Sequence, residues 1–161
     1  RLPDPHFELM PVGGILNDTL PLVEPLIDKS DVALEVAAGS SSGFVYADRY
    51  RIQTALLNII QNSIEAMPDG GTIVIGAEDD FTSRTVKIQV SDDGCGIEPD
   101  LLKKVCEPFF SSHHDEGLRG LGLAIVSDIV KAHDGRMEIH STPGIGTKVV
   151  LCLRMADSTE A

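Results

Sequence analysis

Apolar positions repeat at helical spacing most clearly between residues 49 and 67. Ile52, Ala55, Leu56, Ile59, Ile60, Ile64 and Met67 form one stripe there. Asp48 stands where a side-chain acceptor would cap this helix, and Met67-Pro68-Asp69-Gly70-Gly71 ends it in a turn. A second amphipathic run predicts a helix over Leu121–His133. A third covers Ile15–Asp28, where Pro21 and Pro25 are expected to start, kink or break it. Strands are predicted at Val32–Val36, Phe44–Tyr46, Thr72–Ala77, Thr85–Ser91, Met137–Ser141 and Thr147–Leu153. The third and fourth of these read as a hairpin across an acidic connection. The last two flank the turn Pro143-Gly144-Ile145-Gly146. Pro99–Val105 reads as a short helix, and residues 106–120 as a long mobile loop. Residues 1–12, with Pro3, Pro5 and Pro11, read as a linker from an upstream module. One domain is expected over 13–154, with a flexible tail over 155–161. Paired strands with a few helical blocks predict an α+β fold, a two-layer sandwich with helices on one face of a mixed sheet.

Composition narrows the function. The 161 residues are 42% hydrophobic, which suffices for one buried core and argues against disorder. Aromatic residues are 4% and Trp is absent, so the core must be aliphatic. The formal charge of −12 argues against nucleic-acid binding and against direct contact with an anionic membrane surface. The imbalance is uneven: residues 1–100 carry 17 acidic against 6 basic side chains, residues 101–161 only 8 against 7. A polyanionic ligand is therefore expected at the second part. Cys95, Cys106 and Cys152 make an odd set without a C-x-x-C pair, as expected of reduced thiols in a cytoplasmic setting. No apolar run approaches ~18 residues and no signal peptide opens the chain. Its first residue is Arg1, which reads as a piece of a longer protein.

Three segments carry candidate chemistry. Asn58, Asn62 and Glu65 share one face of the predicted central helix, with Gln61 beside them. A solvated face is the plain reading. Two asparagines four apart nevertheless cost helix propensity, and their amide oxygens suit a hard cation such as Mg²⁺. Asp92-Asp93-Gly94-Cys95-Gly96-Ile97 follows a strand directly. It reads either as an ordinary turn or as a carboxylate placed to accept from an exocyclic amine. Gly120-Leu121-Gly122-Leu123 opens the second helix after Arg119. Free N–H groups at such a helix start bind phosphate. No G-x-x-x-x-G-K-[ST] and no G-x-G-x-x-G occurs, which excludes the P-loop and dinucleotide routes.

Taken together, these segments resemble the ATP-binding catalytic domain of sensor histidine kinases, in the Bergerat-fold ATPase superfamily that includes type II topoisomerases, heat-shock chaperones and MutL. The resemblance covers about residues 13–154. Leu57–Ala66 is similar to the N box, Asp92–Ile97 to the first glycine box, and Glu107-Pro108-Phe109-Phe110-Ser111-Ser112 to the F box. Gly120–Val126 is similar to the second glycine box, and Gly144-Ile145-Gly146-Thr147 to the closing Gly-Thr motif. The resemblance implies ATP and Mg²⁺ as ligands. Asn62 would ligate the metal with help from Asn58. Asp92 would accept the adenine amino hydrogen, with Thr147 supporting through water. Gly94 and Gly96 would let the base approach the backbone. Residues 98–119 would form a lid anchored by Phe109 and Phe110, and Gly120, Leu121 and Gly122, after Arg119, would cradle the phosphates.

Three positions depart from that pattern. Leu118-Arg119 replaces a Gly-Thr, His113 stands where related lids often carry Lys, and Asp93 replaces a common Asn. Asn58 decides the reaction class. ATPases of the superfamily carry a Glu four residues before the metal-binding Asn, and a neutral amide cannot serve as general base. Transfer to a nucleophile on a partner is therefore expected over hydrolysis. None of His6, His113, His114, His133 and His140 reads as the acceptor. The implied partners are an upstream dimerisation and phosphoacceptor domain and a response regulator, with the full protein a homodimer. A nucleotide-binding regulatory module and a serine kinase of the anti-sigma type remain as alternatives.

Overall fold

The stripe predicted over 49–67 forms the helix on which the rest of the molecule packs. A computed structural model describes residues 3–37, 41–104 and 117–157, with the backbone only at 117–122. Its elements run β1 (Glu8–Pro11), α1 (Val12–Asp28), β2 (Val32–Val36), β3 (Phe44–Ala47), α2 (Arg49–Glu65), β4 (Gly71–Asp80), β5 (Thr85–Asp92), α3 (Pro99–Leu102), α4 (Gly117–Ala132), β6 (Arg136–Thr142) and β7 (Gly146–Arg154). Ile52, Ala55, Leu56, Ile59 and Ile60 of α2 are all buried, as their spacing requires.

Five strands form one sheet in the order β2-β4-β5-β7-β6. β2 runs parallel to β4 and the other pairs are antiparallel, so the sheet is mixed, as expected. Alternation sends Ile73 and Ile75, then Val86, Ile88 and Val90, then Val149, Leu151 and Leu153 to one face. There they share one aliphatic cluster with Ile15 and Val23 of α1, α2, and Val126 and Ile129 of α4. The opposite face is tied by polar pairs, among them Gln89 Nε2 to Glu78 Oε1 at 2.8 Å and Lys87 to Asp80 at 3.3 Å.

Four local expectations shift. Glu8–Pro11, read as linker, forms β1, antiparallel to β3, with Met10 and Val45 buried beneath the pair. The run is too short and too Pro-flanked to show a period. α1 starts at Val12 and continues through Pro21 and Pro25. Both prolines are exposed, so the carbonyls they leave unbonded face water, while Val12, Ile15, Leu16, Thr19 and Val23 hold the other face in the core. α4 starts at Gly117 rather than Leu121, which turns the end of the expected loop into helix. An α-helix leaves its first four N–H groups free, so the open donors move back to 117–120 and the Gly122 N–H falls inside the helix. The tail is pinned at its start: Met155 N–H donates to Arg84 O at 2.9 Å and Ala156 N–H to Phe44 O at 2.7 Å.

The start of α2 is fixed by one buried acid. Asp48 Oδ1 accepts from Arg51 N–H at 3.2 Å and Oδ2 from His6 N–H at 2.8 Å. Asp48 N–H donates to His133 Nε2 at 3.0 Å, and His133 Nδ1–H donates to Ile129 O at 2.7 Å. These two contacts fix the tautomer and tie the end of α4 to the start of α2. Burial pushes the Asp48 carboxyl up, but the His6 and Arg51 N–H groups and the Arg51 charge outweigh it and hold it below its ordinary value. A carboxylate lowered on folding stabilises above its unfolded pKa and loses that contribution as pH falls toward the folded one. Asp48→Ala should therefore cost about 1–2 kcal/mol at pH 7. Urea denaturation should show the gap between wild type and variant narrowing below pH 4.

Candidate functional site

Strand register builds the centre of the site. Asp92 ends β5 opposite Thr147 of β7, Thr147 lies opposite Ser141 of β6, and Ile73 of β4 faces Asp92 from the other side. Direct cross-strand partners share a face, so this row lies on the helix side of the sheet. Asp92 is half-buried there, beneath the last turns of α2. Its Oδ1 accepts from Gly94 N–H at 2.9 Å, and the Ser63 hydroxyl and Thr147 N–H are also directed at the carboxylate. Burial raises its pKa above the ordinary value, the nearby Asp93 charge adds to this, and the three donors oppose it. A carboxylate has about four lone-pair sites. The Gly94 N–H takes one of them, which leaves the carboxylate able to accept a further donor.

The loop after Asp92 is clamped on three sides. Asp93 Oδ1 accepts from Thr72 N–H at 2.9 Å. Cys95 N–H donates to Ala66 O at 3.2 Å and Gly144 N–H to Cys95 O at 2.8 Å. Ile97 N–H donates to Ser141 Oγ at 2.8 Å. A Cβ on Gly94 would sit 2.8 Å from Ala66 O, and one on Gly96, at φ +72°, would collide with Thr142 O. The missing side chains thus seat the loop on α2 and on the β6–β7 turn, in addition to the ligand approach that the resemblance implies for the same glycines.

On α2, Asn58 Nδ2 donates to Thr54 O at 2.9 Å, which leaves its amide oxygen uncommitted to the helix. Asn62 Nδ2 is buried and has no hydrogen-bond partner among the described residues. An orphaned buried amide near a helix end calls for a partner outside the protein, such as water, an ion or a ligand. Among the described residues no cluster of three His, Cys, Asp or Glu could hold a metal ion alone. The hard donors beside Asp92 are the two asparagine amides, which suits a cation that also takes ligands from phosphates. Asn62 and Asp92 are thus brought to one end of α2. Phe109 lies outside the described residues. Arg119, Gly120, Leu121 and Gly122 fall in the first turns of α4, and their side chains are outside the description.

Ser63 and Ser141 belong to the site and were not singled out by sequence, while Gly146 entered only as part of the closing Gly-Thr motif. Ser63 sits four residues after Ile59 on the buried stripe, and a hydroxyl in that register was the available signal. Ser141 acts through cross-strand register, and Gly146 through its φ of +151° and its approach to Asp92 O. Cross-strand register leaves no local pattern.

Residues 47–157 match the family model described as histidine kinase-, DNA gyrase B-, and HSP90-like ATPase. The chain belongs to this ATPase family. The domain is 33% identical over 150 residues to the sensor histidine kinase ZraS of Salmonella typhi, covering 92% of this chain and 32% of that protein. It is 36% identical over 146 residues to sporulation kinase C of Bacillus subtilis, covering 86% of this chain and 33% of that protein. This ATPase-family domain therefore spans about a third of the length of both relatives. Among solved structures, the catalytic domain of histidine kinase ThkA superposes with a TM-score of 0.78 at 27% identity, covering 92% of this chain and 97% of that one. Among the described residues no helix is long and apolar enough to cross a membrane.

Two outcomes follow for the ligand-free domain. Gly146→Ala would drive a Cβ into Asp92 O from a backbone conformation that L side chains rarely adopt. It should lower stability by at least ~2 kcal/mol in urea denaturation. Asp92, raised on folding, favours the folded state most when protonated, and that contribution is lost as pH rises from 3.8 through its folded value. Asp92→Asn should therefore remove a falling limb of unfolding free energy over that window, read by denaturation at a series of pH values.

Proposed function

We propose that this domain is the ATP-binding catalytic domain of a sensor histidine kinase. In this reading it binds Mg-ATP and passes the γ-phosphoryl to a histidine on a dimerisation and phosphoacceptor domain upstream in the same protein, for relay to a response regulator. The observation that carries the reading is the half-buried Asp92 carboxylate, bonded to Gly94 N–H, with Ser63 and Thr147 directed at it and acceptor capacity to spare. That geometry suits an exocyclic N–H. The family, and relatives named as sensor and sporulation kinases across most of this chain, support it.

Asn62 would ligate Mg²⁺, with Asn58 beside it, and the first turn of α4 would face the phosphates with its free N–H groups. Bound there, the metal ion neutralises phosphate charge, the main demand of phosphoryl transfer. Asn58 cannot take a proton from water at neutral pH, which favours transfer over hydrolysis. Among the described residues, His133 is occupied by Asp48 and Ile129, while His6 and His140 pair with Glu8 and Glu138 at the surface. An acceptor on another domain fits that distribution. The full protein is read as a homodimer, with this domain in the cytoplasm.

The test uses labelled ATP with this chain and, in trans, the phosphoacceptor domain of its own protein. The chain alone should release phosphate very slowly and stay unlabelled. The added domain should gain an acid-labile, alkali-stable phosphate, and Asn62→Ala should abolish it by removing a metal ligand. Rapid phosphate release by the chain alone would replace the kinase reading with an ATPase. Acid-stable label on a partner would indicate a serine kinase instead.

A further inference from the structure

Ser141 makes three contacts within hydrogen-bond distance, and one arrangement satisfies all three. Its Oγ lies 2.8 Å from Ile97 N, 3.0 Å from Gly146 O and 2.8 Å from Thr147 Oγ1. A hydroxyl has one hydrogen and two lone pairs. Ile97 N–H can only donate, so it takes one lone pair. Gly146 O can only accept, so it takes the single hydrogen. With those two satisfied, the remaining contact is Thr147 O–H donating into the second lone pair of Ser141. The Thr147 hydrogen is thereby committed, and its oxygen presents lone pairs only.

This fixes the polarity of the edge beside Asp92. Thr147 is the direct cross-strand partner of Asp92, and its own N–H is directed at the Asp92 carboxylate. Asp92 offers acceptors, and Thr147, with both its N–H and its O–H engaged, offers acceptors too. We infer that Ser141, through Thr147, is a specificity-determining positioning residue that makes this edge select an exocyclic amine and reject a carbonyl. The inference rests on the nucleotide-binding reading above and deepens it. Adenine presents an amine at the position where guanine presents a carbonyl oxygen. Two acceptors facing that oxygen repel it, whereas a Thr147 released from Ser141 turns its O–H outward and pairs with it. The same network also holds Ile97 and so the loop that follows Asp92, which explains why the position carries a side chain with one hydrogen and two lone pairs.

The experiment measures Mg-ATP and Mg-GTP affinities of the whole chain by calorimetry. Wild type should prefer ATP. Ser141→Ala should lower affinity for both, since Ile97 N–H and Gly146 O lose a partner, but should reduce the ATP-to-GTP ratio by about five- to tenfold, the scale of one hydrogen bond. Ser141→Thr keeps the hydroxyl and should restore the ratio. In a Thr147→Val background, Ser141→Ala should leave the ratio unchanged, because the hydroxyl being oriented is gone. Ser141→Cys keeps the volume with a weak donor, and should shift the ratio in the same direction even where the alanine variant fails to fold. A wild-type ratio in both the Ala and Cys variants, with the two affinities falling in parallel, would overturn the assignment and leave nucleotide binding intact. A wild-type chain that binds neither nucleotide would overturn the nucleotide reading and this assignment together.

Discussion

A carboxylate drawn out of water at the end of a strand sets the terms for everything near it. Asp92 is half-buried, and such a group is costly unless donors surround it. Three neighbours supply them: Ser63 from α2, Gly94 from the following loop, and Thr147 from the adjacent strand. Each source makes its own demand. Gly146 must carry no side chain so that β7 can lie against Asp92, and Gly94 must carry none so that the loop can reach Ala66. The glycines of this region are therefore packing requirements first, and any ligand meets a cradle that is already assembled.

The molecule divides its labour between a rigid reader and a charged end. The row Ser141, Thr147 and Asp92 sits on three paired strands and cannot shift without breaking the sheet. The asparagine face of α2 and the start of α4 lie on helices, joined at their far ends through His133 and Asp48. That link makes α2 and α4 move as one piece at their buried ends.

Much of this was legible in the chain. The stripe from Ile52 to Ile60 predicted α2 because a helix buried on one side has no other way to write its period. The mixed sheet followed from strands that alternate against a common core. Asn58, Asn62 and Asp92 stood out only in combination, since each alone also reads as a solvated helix face or an ordinary turn. The losses have physical causes as well. β1 is four residues long and flanked by proline, so it carries no period, and only β3 makes it a strand. α1 survives Pro21 and Pro25 because tertiary burial of Val12, Ile15 and Val23 outweighs local propensity. Ser141 works through a partner on the neighbouring strand, and register across strands is not written in local sequence.

The first strand has a mechanical consequence. Pro3 O accepts from the Arg51 guanidinium, His6 N–H is bonded to Asp48, and Glu8–Pro11 is laddered to β3, which ends one residue before that same Asp48. These three anchors of the entering chain lie at or next to the start of α2, and Phe7 packs beside them on Tyr46 and His133. The chain entering at Pro3 is thereby fastened to the N-terminal cap of the helix that bears Asn58 and Asn62, and it could not separate from that cap without opening the β1–β3 ladder.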